Sequence, residues 1–215
     1  MQLFIGNQNY SSWSLRAWLI FEQFDIDVQV TKLPLFKPEF YQTLTKVTPT
    51  AKVPTLVDGD VAVWESLAIL EYVNEQYLAG KAWPEDSKQR AKARAIASEM
   101  HAGFTALRNE LPMNCRAQRR VELSEAALKD VQRIDEMWSQ QMDVYPDQWL
   151  FGDWSIVDAM YAPVVLRFKT YDVQLSKLAQ AYLEKALQSP AMQVWIAEAL
   201  LETDIVEEDE AGEDV

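Results

Sequence analysis

Pro54 constrains this chain more than any other residue. It follows the β-branched Val53 and leads into Thr55-Leu56-Val57, a run that reads as a strand. Proline donates no ladder hydrogen bond, so at such a position it needs a special reason. A cis Val53-Pro54 bond is one, and such bonds typically sit in tight turns. It would turn the Val53 N–H and C=O outward, free to pair with an extended, peptide-like ligand. Beyond a short acidic turn, Trp64-Glu65-Ser66 opens an apolar-periodic segment. A carboxylate, a hydroxyl and free helix N–H groups converge there, a set that suits a ligand carrying both an amine and a carboxylate. A Pro-interrupted edge strand followed by a plain serine N-cap is the competing reading.

The surrounding pattern places this stretch in a small mixed sheet. Residues 2–5 read as a buried strand, and residues 6–12 as a polar loop. Leu15, Trp18, Leu19 and Phe21 recur at helical spacing over 14–24. Residues 28–33 alternate as a strand, and a helical turn is expected around 39–44. Two strands, 55–57 and 61–64, flank Asp58-Gly59-Asp60, a hairpin signal. Residues 66–77 are helical again. This β-α-β-(α)-β-β-α order occupies 1–78 and excludes a parallel doubly wound sheet. After a linker at 79–84 the texture becomes helical. A long helix is expected over 87–111, ended by Pro112, and another over 123–141. Ser155-Ile156-Val157-Asp158 is close to a capping box ahead of an apolar run to about 171. Further helices at 176–187 and 190–201 complete an all-helical domain over 87–201.

Composition narrows the function. The net charge is −13, and seven of the carboxylates lie in residues 203–215, which carry no base. Nucleic-acid phosphate would be repelled, so no nucleic-acid partner is expected. The acidic tail reads as a disordered, solubilising extension. No apolar run approaches the roughly 18–20 residues that span a bilayer, so no membrane partner is expected either. The opening Met1-Gln2-Leu3-Phe4-Ile5-Gly6 lacks the basic flank of a signal peptide. One cysteine, Cys115, and one histidine, His101, exclude an internal disulfide and a Cys- or His-rich metal site. A reducing cytoplasm is the expected setting, with no metal cofactor.

Taken in order, these motifs resemble the soluble glutathione S-transferases over residues 1 to about 200. Lys52-Val53-Pro54-Thr55-Leu56 is similar to that family's cis-proline segment, and Glu65-Ser66-Leu67-Ala68-Ile69-Leu70-Glu71-Tyr72 to its glutathione-binding helix. Phe151 to Ala159 is similar to its helical capping segment, which implies a folding role. Asn9-Tyr10-Ser11-Ser12-Trp13-Ser14-Leu15-Arg16 resembles the Ser-Ser-Cys-x-x-Arg signature of the zeta class, with Trp13 where that class has cysteine. The resemblance implies an α+β thioredoxin-like N-terminal domain followed by an all-α helical-bundle C-terminal domain. It also implies glutathione as co-substrate, a homodimer, and conjugation of small electrophiles in detoxification. The zeta class further implies cis–trans isomerisation of maleyl-type acids, an activity that leans on the missing cysteine.

The chemistry is electrostatic. A free thiol titrates near ~8.5, so at pH 7 only about 3% of it is thiolate. Lowering that pKa by about two units needs only ~2.7 kcal/mol. A charge-assisted hydrogen bond of ~1.5–3 kcal/mol plus a helix-dipole contribution of ~0.3–1 kcal/mol supplies it. Ser11, at the start of the first helix, is the first candidate donor to the sulfur and Ser12 the second; plain N-capping is the alternative for both. The resemblance implies Val53, beside Pro54, against the cysteinyl unit, Glu65 on the γ-glutamyl ammonium and Ser66 on its carboxylate. Lys52 is a candidate for the glycyl end. The electrophile pocket is expected between the domains, from Tyr10, Trp13, Met100, Phe104, Arg108 and Arg167. His101 reads as a packing or hydrogen-bonding residue. A non-catalytic interaction protein of the same fold is the competing function. A mixed-disulfide reductase would want a cysteine at position 11 or 13.

Overall fold

Residue Leu3 faces one core and Phe4 another, and this alternation organises the first third of the chain. A computed structural model describes residues 1–215. Strand β1 (Gln2–Ile5) leads through a loop to α1 (Ser12–Gln23), β2 (Gln29–Lys32), α2 (Pro38–Leu44), β3 (Thr55–Asp58), β4 (Val61–Trp64) and α3 (Ser66–Tyr77). The four strands form one sheet in the order β2-β1-β3-β4. β1 runs parallel to β2 and antiparallel to β3, with Leu3 opposite Leu56. Leu3, Ile5 and Leu56 enter the main core beneath α1 and α3, whereas Phe4 joins Leu33, Phe40 and Leu44 under α2. The β3–β4 hairpin turns at Gly59, whose φ of +59° fits the predicted Asp-Gly-Asp signal.

The remainder is helical: α4 (Ser87–Ala102), α5 (Thr105–Glu110), α6 (Glu125–Val144), α7 (Ile156–Thr170), α8 (Lys177–Gln188) and α9 (Pro190–Leu200). The single helix expected over 87–111 is two. At Gly103 a Cβ would come within 2.8 Å of the Glu99 carbonyl, and Phe104 adopts a left-handed φ of 58°. Arg108 then folds back and donates Nε to the Gly103 carbonyl at 2.9 Å and Nη2 to that of Met100. These are the orphan acceptors at the end of α4. Helix α7 is buried on nearly every side, with only Lys169 exposed, and packs against α1, α4 and α8. One continuous core therefore runs from Leu3 to Ala199 and serves both halves of the chain.

The carboxylate of Asp158, buried at 3% exposure, holds the entry to α7. It accepts from the Ser155 N–H (2.8 Å) and hydroxyl (3.0 Å), the Leu150 N–H (3.3 Å) and the Tyr182 hydroxyl (3.1 Å). Burial pushes its carboxyl up to about 6, against the pull of those hydrogen bonds.

The acidic C-terminal segment departs from the expected disordered extension. Its short turn of 3-10 helix (Glu207–Asp209) is followed by a strand, Glu213–Asp214 (β6), which pairs antiparallel with β5 (Arg119–Arg120), a strand pair the sequence reading lacked. Val206 is buried, and Glu210 accepts from the Tyr10 hydroxyl, Asn114 Nδ2 and Arg119 Nη2. Gly212 has a φ of +83°, and a Cβ there would meet the Arg120 carbonyl at 2.6 Å. Two of the carboxylates that look self-repelling in sequence meet Arg119 in space, and Arg116 donates to the Asp204 main-chain carbonyl.

Asp158→Ala is expected to lower unfolding stability by about 3 kcal/mol, because it strands two main-chain donors and two hydroxyls. The folded-state pKa of Asp158 is raised. The stability of the parent relative to Asp158→Asn is therefore greatest below the ordinary aspartate range and falls as pH rises through about 6. Denaturant titrations across that window check both; a pH-independent difference would contradict the buried-carboxyl account.

Candidate active site

The loop between β1 and α1 is polar yet buried, so each of its main-chain groups needs a partner. Gly6 begins it, and a Cβ there would lie 2.6 Å from Leu35 Cδ2. The Gly6 N–H donates to Ser14 Oγ at 3.0 Å. The N–H groups of Gln8 and Asn9 donate to the two oxygens of Glu202, at 2.9 and 3.1 Å. Lys32 pairs with the same carboxylate at 3.0 Å. Asn9 bonds to Asn114 and receives the Arg116 N–H, and Trp195 donates to the Gln8 carbonyl at 2.9 Å. The loop is thus clamped from the helical half and the C-terminal segment.

This clamp sets Ser11 and Ser12 at the amino end of α1, and both line a cleft of about 630 Å³. Ser11 makes no capping hydrogen bond; its hydroxyl donates to Ser14 Oγ at 2.7 Å. The plain N-cap reading of Ser11 therefore fails. Ser14 was not a sequence candidate, although its i+3 spacing from Ser11 was visible. A narrower recess of about 170 Å³ shares Trp13, Thr50, Lys52 and Val53 with the cleft and adds Pro54, Trp64, Glu65 and Ser66.

In the recess the Val53–Pro54 bond is cis. The Val53 N–H and C=O make no hydrogen bond within the chain. Ser66 opens α3, and its buried Oγ also lacks a partner. Glu65 precedes it with a φ of 70°, an uncommon conformation for a non-glycine residue that often marks functional positions. His101 Nε2 lies 3.9 Å from the Glu65 carboxylate, and its ring meets Trp13 edge-on at 5.4 Å. Burial lowers the His101 pKa.

Tyr10, Trp13, Arg108 and Arg167 line the cleft; Met100 and Phe104 do not. Met100 is fully buried in the core, and Phe104 packs edge-on toward Tyr161 at 6.5 Å. The helix break at Gly103 ends the shared helix face on which both were expected. Trp13 is flanked by two guanidinium groups, Arg16 at 4.3 Å and Arg108 at 4.9 Å from its ring centre. Arg16 is fully buried; Nε donates to the Met160 carbonyl at 2.9 Å, while Nη1 and Nη2 have no partner. Arg167 donates Nη1 to the Arg108 and Leu111 carbonyls. Burial lowers its pKa to about 10, so it stays charged at neutral pH. Asp209 also lines the cleft, and burial raises its carboxyl to about 6 with Arg167 opposing. Cys115 is buried against Gln8, its thiol pushed up to about 12, and is unreactive by that measure. The largest cavity, about 810 Å³, lies elsewhere, between the linker at Trp83 and the segment around Trp154. It holds none of the serine, Val53 or Ser66 groups, so we place the site at the cleft and recess. No helix is long and apolar enough to cross a membrane.

A mixed sheet with a cis-proline ahead of β3, joined to a helical half, is the glutathione transferase architecture. The family model for the glutathione S-transferase N-terminal domain matches residues 10–76. The chain is similar to a probable maleylacetoacetate isomerase of Caenorhabditis elegans, 37% identical over 46% of this chain and 45% of the relative. It is also similar to glutathione S-transferase 1 of Dianthus caryophyllus, 29% identical over 53% of this chain and 51% of the relative. The chain thus spans about half the length of these curated relatives. A glutathione transferase homologue from a Burkholderia strain, solved with bound glutathione, superimposes with a TM-score of 0.71 at 23% identity, covering 92% of this chain and 97% of that one. Residues 10–76 thus match the glutathione S-transferase N-terminal domain family, and the whole chain has the glutathione transferase fold.

Glu202→Ala is expected to destabilise the fold by about 3 kcal/mol, since two main-chain donors lose a charged acceptor. Amide exchange at Gln8 and Asn9 should accelerate more than exchange in β3. Equal acceleration everywhere would deny Glu202 a local clamping role.

Proposed function

We propose that this protein is an enzyme, a glutathione transferase that holds glutathione along the recess and ionises its thiol at the amino end of α1. The observation that carries the reading is the pair of unsatisfied groups in one small recess. The Val53 main chain has no partner, and neither does the buried Ser66 hydroxyl at a helix N-terminus. Unpaired polar groups of this kind are costly unless a ligand completes them. Val53 takes the cysteinyl main chain, Ser66 and the α3 N–H groups take the γ-glutamyl carboxylate, and Glu65 takes the ammonium. Lys52, exposed at the lip shared by both cavities, meets the glycyl carboxylate.

The sulfur then lies toward Ser11 and Ser12. Serine hydroxyls rotate and both donate and accept. With an anionic sulfur present, Ser11 donates to it and accepts from Ser14, which keeps the Gly6 N–H as its own donor. Ser14 is a positioning residue in this scheme, and Ser12 is the second candidate donor. The helix dipole of α1 adds to the stabilisation. The thiolate attacks a small electrophile in the wider cleft, whose walls include Leu35, Phe36, Tyr41 and Met113. These apolar walls support an apolar electrophile. A homodimer is the proposed assembly.

Two observations favour maleyl-acid isomerisation as the second reading. Arg108 and Arg167 supply positive charge in the cleft. A curated relative is named a probable maleylacetoacetate isomerase, and a bacterial zeta-class maleylpyruvate isomerase superimposes with a TM-score of 0.69 at 21% identity, over 93% of this chain and 98% of that one. Trp13 in place of the cysteine weighs toward conjugation.

Ultraviolet titration of bound glutathione tests the proposal. A thiolate band is expected at pH 7. Ser11→Ala should raise the bound thiol pKa by roughly two units, and Ser14→Ala by about one, through loss of a charge-assisted bond and of its support. A band unmoved by both Ser11→Ala and Ser12→Ala would reject serine activation, and absence of binding at millimolar glutathione would reject the transferase reading.

A further inference from the structure

Of the seven carboxylates in the C-terminal segment, Asp209 is the one that lines the electrophile cleft, on the same wall system as Arg167 and Arg108. The segment is held there by a built interface. Glu210 bonds to Tyr10, Asn114 and Arg119; Arg116 donates to the Asp204 carbonyl; β6 pairs with β5; and Gly212 permits the close approach to Arg120. Tyr10 and Asp209, two residues of the cleft, are thereby tied to one another through Glu210. Asp209 and Arg167 feel one another's charge but form no direct ion pair, so the guanidinium's Nε and Nη2 are left without a hydrogen-bond partner.

We propose that Asp209 is a specificity-determining residue: its carboxylate, docked beside Arg167, repels anionic electrophiles from the cleft and selects uncharged ones. The proposal deepens the transferase reading and rests on it for the identity of the reaction. Arg108 and Arg167 alone would make an anion-seeking wall, and focusing by a partly enclosed cleft would strengthen it. A fixed carboxylate on the same wall offsets that charge and sets a like-charge barrier, a repulsive element of the kind that specificity requires. The Arg167 N–H groups outside those carbonyl bonds can still donate to the oxygens of an uncharged nitroaromatic.

The test uses the full chain and a matched pair of ligands, a chlorodinitrobenzene and the corresponding chlorodinitrobenzoate. Binding is read by quenching of tryptophan fluorescence without glutathione, and conjugation by kcat/KM with it. Asp209→Asn should raise the benzoate-to-benzene ratio roughly tenfold in both readouts, chiefly through Kd and KM. Glu210→Gln, which loosens the segment without touching the cleft carboxylate, should move the ratio the same way by a smaller factor. Adding Arg167→Met to Asp209→Asn should abolish the gain. A binding ratio unchanged in Asp209→Asn overturns the proposal, whatever the conjugation rate. A tenfold shift in binding with no conjugation of either ligand upholds the selectivity of the cleft and rejects the transferase reading instead.

Discussion

A single carboxylate, that of Glu202, sits over the N–H groups of Gln8 and Asn9 and makes the burial of a polar loop possible. Residues 7–9 are almost fully buried, with Asn9 at 0% exposure. Loops ordinarily run over the surface because their main-chain groups need water. Here the water is replaced by distant parts of the chain: Glu202, Trp195 and the Cys115 N–H take main-chain groups of the loop, while Asn114 and the Arg116 N–H hold the Asn9 side chain. That replacement fixes the start of α1, and with it the placement of Ser11, Ser12 and Ser14. The serine side of the site is thus built near the start of the chain but held by residues from its second half.

Electrostatics in the cleft runs against the charge of the whole molecule. A chain of net charge −13 buries Arg16, Arg108 and Arg167 around one site: burial lowers the pKa of all three, and the Arg108 charge further lowers those of Arg16 and Arg167. Two of the three bond to main-chain carbonyls: Arg108 to those at the end of α4, Arg167 through Nη1 to those of Arg108 and Leu111. Arg108 therefore braces the break between α4 and α5, Arg167 braces the end of α5, and both line the cleft. Arg16 ties α1 to the carbonyl of Met160 on α7 and stacks on Trp13, so the residue standing where the zeta signature has cysteine is gripped from two sides.

Much of the fold was legible because its signals are local. The Asp58-Gly59-Asp60 turn, the apolar periodicity of α1 and α3, and Pro54 each depend on a few neighbouring residues. The cis bond and the β-α-β-α-β-β-α order follow those signals. The misses are non-local. Gly103 within an alanine-rich helical pattern costs only about 1 kcal/mol, so sequence gave no strong reason to end α4 there. The close approach to the Glu99 carbonyl and the Arg108 cap decide it. Met100 and Phe104 were expected in the cleft on the assumption of one straight helix, and the break sends both to the core. The acidic tail read as solvated because its partners, Arg116 and Arg119, lie some ninety residues earlier.

The amino-acid order by itself determined which residue types could do the chemistry. It offered hydroxyls at a helix start, a proline that frees the main chain of Val53, and a Glu-Ser pair opening α3, against a single histidine and a single cysteine that no motif marks for the chemistry. Tertiary structure alone decided which of those groups are left unsatisfied. Ser66 Oγ and the Val53 main chain have no partner, whereas Ser11 is bonded to Ser14 and Glu210 is fully engaged. The physical reason is that hydrogen-bond satisfaction depends on neighbours distant in sequence, while residue chemistry and local turn preference do not.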